Sequence, residues 1–119
     1  MPRELIDEWI FEATLPLRRV INAKRRLSAS LTLNPITILA ACDELDAATR
    51  DARTWAQANV CPDPELRART DVMLKTCRDV ARTARRAVSH PSGTTPENLD
   101  HLSTLLTLVD VHSEALERW

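Results

Sequence analysis

Three prolines at regular intervals are the feature that most constrains the fold of this chain. Each follows a residue that can cap a helix, in the pairs Asn34-Pro35, Asp63-Pro64 and Thr95-Pro96. A proline is tolerated in the first turn of a helix, where its missing N–H group would have no partner anyway. Each pair therefore predicts the start of a helix. The segment before Asn34 has the same helical spacing of apolar residues and adds one more helix. The chain is therefore expected to form four helices, at roughly residues 2–29, 35–60, 64–89 and 96–118.

The composition favours an all-α fold. The 119 residues contain one glycine and no tyrosine, while 44% are hydrophobic and 28% are charged. Residues that form the turns and strands of a sheet protein are therefore scarce. The hydrophobic fraction is high enough for the chain to build one core. Because the connections are short, consecutive helices should run antiparallel, which predicts a single-domain four-helix up-and-down bundle over residues 1–119. Pro16 lies inside the first helix and predicts a kink or a break there.

Apolar residues recur at helical spacing and define a candidate core. Six of them are expected to be buried: Trp9, Leu45, Trp55, Val80, Leu102 and Leu106. Phe11 and Leu15 lie one turn apart, off the main apolar face of the first helix, and Trp119 has no evident partner. These three residues are candidate contacts with a protein partner or a second copy of the chain. The alternative is a wide core that wraps around the first helix.

The cysteines indicate a reducing compartment. Cys42, Cys61 and Cys77 are odd in number and form no CxxC pair, which suits neither a disulfide framework nor a zinc site. Cys61, beside Pro62 in a connection, is expected to be the reactive thiol. The N-terminal segment is charged and no long apolar run occurs. These features predict a cytoplasmic protein with no membrane contact.

Charge is segregated by helix, although the formal net charge is only −1. The third helix carries a basic ridge opposite its apolar stripe, made of Arg67, Lys75, Arg78, Arg82, Arg85 and Arg86. A second basic cluster ends the first helix, with Arg18, Arg19, Lys24, Arg25 and Arg26, whereas the second and fourth helices are acidic. Two interpretations stay open. The basic residues bind a nucleic-acid backbone by replacing its counterions, or they form a solvated face whose cations pair with acidic neighbours.

Residues 85–90, with the sequence Arg-Arg-Ala-Val-Ser-His, match the R-x4-H pattern of HEPN-type ribonucleases. The motif also lies near the end of a bundle helix and before the last helix, as in that family. The resemblance implies a dimeric ribonuclease in which Arg85 stabilises phosphate charge and His90 acts as a general acid or base. The chain departs from the family at Arg86, where a small polar residue is usual, and at Pro91-Ser92, which replaces Gly-Tyr. The alternative is a chance match, with His90 at a helix C-terminus.

The sequence predicts neither a metal site nor a cofactor. His101 and His112 are eleven residues apart, with no E-x-x-H motif. A metal site in a bundle would need a ligand spacing of three or four residues, with carboxylates on the facing helices. Gly93 is the sole glycine, so the chain cannot form a glycine-rich phosphate loop.

In size, helicity and segregated charge, the chain is similar to the small helical subunits of CRISPR effector complexes. Those subunits line an RNA-guided assembly and contact the nucleic-acid backbone. Because no catalytic constellation is evident, we expect a non-enzymatic assembly subunit that binds protein partners and contacts nucleic acid through the basic ridge. The alternatives are a HEPN-like ribonuclease, and a partner-binding regulator that does not bind nucleic acid.

Overall fold

The structure, a computed structural model of the chain, describes residues 2–31, 33–89 and 95–117. These residues form four helices and no strand: α1 (Arg3–Ser30), α2 (Pro35–Ala58), α3 (Pro64–Ser89) and α4 (Pro96–Glu117). Packing is extensive between consecutive helices, whereas α1 and α4 touch only slightly. This arrangement confirms the predicted up-and-down bundle.

Side-chain caps explain why α2 and α3 begin at the predicted prolines. Asn34 Oδ1 accepts a hydrogen bond of 2.9 Å from the backbone N–H of Thr37. Asp63 Oδ1 accepts hydrogen bonds of 2.8 and 3.1 Å from the backbone N–H groups of Glu65 and Leu66. Each cap thus satisfies N–H groups that the first turn of a helix leaves without a backbone partner.

Pro16 does not end the first helix. Of the two outcomes expected there, a kink or a break, the break does not occur, because α1 runs continuously from Arg3 to Ser30. Ala13 and Val20 are both buried, one turn on either side of Pro16. Packing on both sides therefore holds the two halves in one helix, despite the backbone hydrogen bond that Pro16 cannot donate.

The apolar residues form one main core and a smaller cluster near the α2–α3 connection. The main core draws on all four helices, with Val20, Leu45, Val80 and Leu102 among its buried members. The smaller cluster contains Ile6, Trp9, Ala13, Cys61 and Leu66. Five of the six residues expected in the core are buried, namely Trp9, Leu45, Val80, Leu102 and Leu106.

Trp55 is the exception, since it is only partly buried and that expectation was wrong. Its ring packs against the edge of the smaller cluster, with its centroid 5.5 Å from that of Trp9 and the two planes tilted by 50°. Trp9 takes the inner position and donates a 2.7 Å hydrogen bond from its indole Nε1 to the carbonyl oxygen of Asn59.

The prediction that Cys61 is a reactive thiol is also wrong. Cys61 is 2% exposed and packs in the smaller cluster, so burial raises the pKa of its thiol. Cys42 and Cys77 are free and buried as well, and burial raises their pKa values to about 11 and about 12. All three thiols are therefore protonated at neutral pH.

The helices of the described residues include none that is long and apolar enough to cross a membrane. The loose approach of α1 to α4 leaves an apolar groove of about 520 Å³, lined by residues that include Ile10, Leu17, Met73 and Leu116. A second groove lies along α2 and α3.

Candidate nucleic-acid interface

Positive charge collects in a groove along the seam between α2 and α3. One part of this groove, of about 550 Å³, adjoins a second part of about 650 Å³, and Arg53, Gln57 and Arg78 line both. We call the two parts together the α2–α3 groove. Seven cationic side chains line it: Arg50, Arg53, Arg67, Lys75, Arg78, Arg82 and Arg85.

Helical spacing and small side chains explain how two helices contribute to the same surface. Arg78 and Arg82 are one turn apart on α3, and Arg50 and Arg53 are one turn apart on α2. The residues beneath them are small and buried, and they belong to the main core: Ala48, Ala52, Ala81 and Ala84. Small side chains let two helices approach closely, so the arginines of both helices line one groove.

Five of the seven cations have no acidic partner among the described residues. In the part of the chain that the structure describes, no ion pair or hydrogen bond involves the side chains of Arg50, Arg53, Lys75, Arg78 and Arg82. We call these five residues the groove cations. Each is exposed, so each remains hydrated and available to an external anion.

The other two cations of the groove are engaged by the protein itself. Arg85 forks between two carboxylates of α2, with one guanidinium nitrogen bonded to Asp43 and another to Asp46. The hydrogen bond with Asp43, together with the charge of Asp46, raises the pKa of Arg85 above its usual value. Arg67 donates from Nε and Nη2 to the carbonyl oxygen of Cys61, at 3.2 and 2.7 Å.

Arg50 and Arg53 were missed by the sequence analysis, which described α2 as acidic. On a helical wheel these arginines share a face with Asp43 and Asp46, so the face appears mixed in charge. The structure shows that Arg85 of the neighbouring helix takes both carboxylates. The spacing of Arg50 and Arg53 does show that both lie on one face of α2. The sequence of α2 alone does not show that Arg85 of α3 takes the two carboxylates on that face.

The second basic cluster, on α1, lies on other faces of the bundle. Three of its members pair with acidic residues of neighbouring helices: Arg19 with Asp51 at 3.2 Å, Arg26 with Glu44, and Lys24 with Asp110. The Lys24 side chain is only 7% exposed, so its ammonium group is out of reach of an external phosphate. Arg18 and Arg25 line the groove between α1 and α4. The structure therefore does not bring this cluster to the α2–α3 groove.

The R-x4-H motif stays a prediction, because His90 lies outside the described residues. Arg85, its arginine, is already held by Asp43 and Asp46. Arg86 is exposed and is not among the residues that line the α2–α3 groove.

The candidate partner-binding residues of α1 are exposed. Phe11 is 82% and Leu15 is 73% exposed, so the wide core that was the alternative does not absorb them. Trp119 lies outside the described residues, and a contact with a partner stays a prediction. His101 is exposed and His112 is partly buried. Over the described ranges, no group of three or more histidine, cysteine, aspartate or glutamate residues could hold a metal ion.

No protein-family model, no curated protein and no solved structure matches this chain.

Proposed function

We propose that this chain is a non-enzymatic binding subunit that contacts the phosphate backbone of a nucleic acid through the α2–α3 groove. The groove cations would replace condensed counterions along the backbone, and their guanidinium groups can take phosphate oxygens in bidentate geometry. The helical subunits that the chain resembles in size and segregated charge also contact the nucleic-acid backbone.

One observation carries this proposal: five cations that have no partner among the described residues line one groove of a chain whose net charge is −1. Arg19, Arg26 and Arg85 all pair with carboxylates on neighbouring helices, so the fold does neutralise cations where helices meet. The five groove cations, by contrast, have no carboxylate partner among the described residues, and they repel one another. A polyanion would relieve that repulsion and gain the attraction of a concentrated positive potential.

The lining residues favour contacts with the backbone over the reading of bases. Base recognition on single strands uses exposed aromatic rings for stacking. Of the described residues, the one aromatic side chain that lines the α2–α3 groove is Trp9, which is buried and hydrogen-bonded to the carbonyl of Asn59. Binding should therefore depend little on sequence.

The test compares unrelated RNA and DNA oligonucleotides by fluorescence anisotropy at one low salt concentration. We expect the wild-type chain to bind them with similar affinity, and the double variant Arg78→Glu/Arg82→Glu to lose affinity for all of them alike. The matched control is Arg3→Glu/Arg69→Glu, which changes the net charge equally at exposed positions outside the groove. Circular dichroism checks that each variant is folded.

A loss confined to the groove variant supports the proposal. Equal losses in both double variants would mean that net charge alone drives binding, and would overturn the assignment to this groove. Wild-type protein that binds none of the oligonucleotides, at a salt concentration of about 50 mM where phosphate contacts are strong, would overturn the proposed function itself.

A further inference from the structure

Thr49 carries a buried hydroxyl group that has no hydrogen-bond partner within the described protein. The residue is 2% exposed, and it lines the α2–α3 groove. A threonine within a helix can satisfy its hydroxyl by donating to the carbonyl of the residue four positions earlier. Five other threonines of this chain do so at 2.8–3.0 Å, namely Thr14, Thr70, Thr76, Thr104 and Thr107.

Thr49 lies where the arginines of the two helices converge. Arg50 follows Thr49 directly and Arg53 lies one turn further along α2, while Arg78 and Arg82 approach from α3. These four arginines and Thr49 line the same part of the groove, of about 550 Å³. That volume is within the range of small-ligand sites, about 300 to 1,000 Å³. A buried donor beside four unpaired guanidinium groups is therefore placed to meet an anion.

We propose that this part of the α2–α3 groove is a site for a terminal phosphate monoester, whose oxygen accepts a hydrogen bond from Thr49 Oγ1. This inference rests on the proposed function, because it makes the end of a nucleic-acid strand the ligand of the same groove. The other source of the same chemistry is a free nucleoside monophosphate.

The charge and shape of the site favour a monoester over a backbone diester. A terminal phosphate carries about −1.5 to −2 charges at neutral pH and has three unesterified oxygens, which suits four guanidinium groups. A diester within the backbone carries a single charge and is joined to a sugar on each side. Those sugars keep it near the mouth of a groove, whereas a terminal phosphate can enter end-on and reach a buried donor.

The experiment measures the affinities of three forms of one short single-stranded oligonucleotide: with a 5′-phosphate, with a 3′-phosphate, and with neither. We expect at least one phosphorylated form to bind the wild-type chain about tenfold more tightly than the unphosphorylated form, the effect of a hydrogen bond to a charged group. Thr49→Val, which removes the hydroxyl and keeps the shape, should bring that ratio close to one. Thr49→Ser, which keeps a hydroxyl, should retain most of it. A thermal unfolding curve confirms the fold of each variant.

The outcomes separate this inference from the proposed function. If the three forms bind the wild-type chain equally and Arg78→Glu/Arg82→Glu weakens them all, the groove binds backbone and the terminal-phosphate site is overturned. A preference that Thr49→Val leaves unchanged also overturns it. A nucleoside monophosphate that binds as tightly as the oligonucleotide, and depends on Thr49, supports the monoester site and identifies the free nucleotide as its source. If no oligonucleotide binds, both proposals fail.

Discussion

At the scale of single residues, Arg85 determines whether the carboxylates of Asp43 and Asp46 are free to interact with other groups. It binds Asp43 and Asp46, which share a face of α2 with Arg50 and Arg53. Without Arg85, the two carboxylates would be free to attract the arginines of their own helix and to repel phosphate. Under the proposed function, Arg85 would be a positioning residue, which keeps the groove cations available without itself touching the nucleic acid.

This role predicts that the removal of Arg85 lowers the affinity for nucleic acid mainly because it frees the carboxylates of Asp43 and Asp46. Arg85→Ala should weaken oligonucleotide binding, and the triple variant Arg85→Ala/Asp43→Asn/Asp46→Asn should restore most of the lost affinity. The control combines Arg85→Ala with Glu8→Gln and Glu12→Gln, which neutralises two exposed carboxylates of α1. Anisotropy at one salt concentration measures all the variants. Equal recovery in the control would show that net charge, and not the freed carboxylates, explains the effect.

The unpartnered hydroxyl of Thr49 also predicts an unusual gain of stability. A buried polar group without a partner costs about 1–3 kcal/mol, and replacing it with an apolar group of the same shape removes much of that cost. In the absence of ligand, Thr49→Val should therefore raise the free energy of unfolding by about 1 kcal/mol. Thr70→Val is the matched control, because Thr70 is equally buried but donates to the carbonyl of Leu66. Urea unfolding that shows a loss of stability for Thr49→Val would mean that its hydroxyl is satisfied.

The buried thiols predict how stability depends on pH. The pKa values of Cys42 and Cys77 rise from 9.0 to about 11 and about 12 in the folded chain, so the unfolded chain ionises first as pH increases. Their contribution is fully present below about pH 9 and is lost as the pH approaches the folded values. We expect the free energy of unfolding to fall above pH 9 by up to about 1.4 kcal/mol per pH unit for each thiol. Urea titrations of wild type and Cys77→Ala test this, and an identical slope in both would contradict it.

At the scale of helices, most of the fold could be predicted from local chemistry. Pro35 and Pro64 begin helices because Asn34 and Asp63 cap them, and both the proline and the cap are visible in the sequence. The effect of Pro16 was harder to predict, because packing on both sides of it decides whether α1 continues. The burial of Trp55 was overestimated for a similar reason, because packing between helices decides it. Trp9 lies closer to the core, where it donates to the carbonyl of Asn59, and Trp55 packs outside it.

The candidate site could be predicted only in part. The spacing of Lys75, Arg78 and Arg82 along α3 was enough to find one wall of the groove. The other wall depends on which carboxylates pair with which cations across helices, and a helical wheel does not contain that information. The hydroxyl of Thr49 is likewise unremarkable in sequence, because its missing partner is a property of the packed helix.

The orientation of α2 predicts that truncating a side chain on its inner face lowers stability more than truncating one on its outer face. Leu45 is 0% exposed in the main core, whereas Ile36 near the start of the helix is 80% exposed. Leu45→Ala should lower the free energy of unfolding by about 2–5 kcal/mol, and Ile36→Ala should change it by no more than about 0.5 kcal/mol. Urea denaturation measures both. Similar losses for the two variants would contradict the assigned orientation of α2.

At the scale of the whole molecule, the cations on the two sides of α2 differ in whether they pair with carboxylates. Acidic residues of α2 pair with α1 through Arg19 and Arg26, while the groove cations remain unpaired on the α3 side. The distance from Arg67 to Arg85 along α3 is about 27 Å at the rise of an α-helix. Successive phosphates of one strand are about 3.4 Å apart, so this length could accommodate about eight phosphates. That number exceeds the five groove cations, so each cation could contact a different phosphate.

The salt dependence of binding is the sharpest test of the claim that the α2–α3 groove binds a nucleic-acid backbone, because it counts the phosphate contacts that are lost with each cation. The slope of log K against log salt should be steep for the wild-type chain, and about 1.5 units shallower for Arg78→Glu/Arg82→Glu, since each lost contact removes about 0.7 to 0.9 units. Arg3→Glu/Arg69→Glu should keep the wild-type slope. The same slope in the wild-type chain and the groove variant would contradict the claim, and would leave the α2–α3 groove as an ordinary solvated surface.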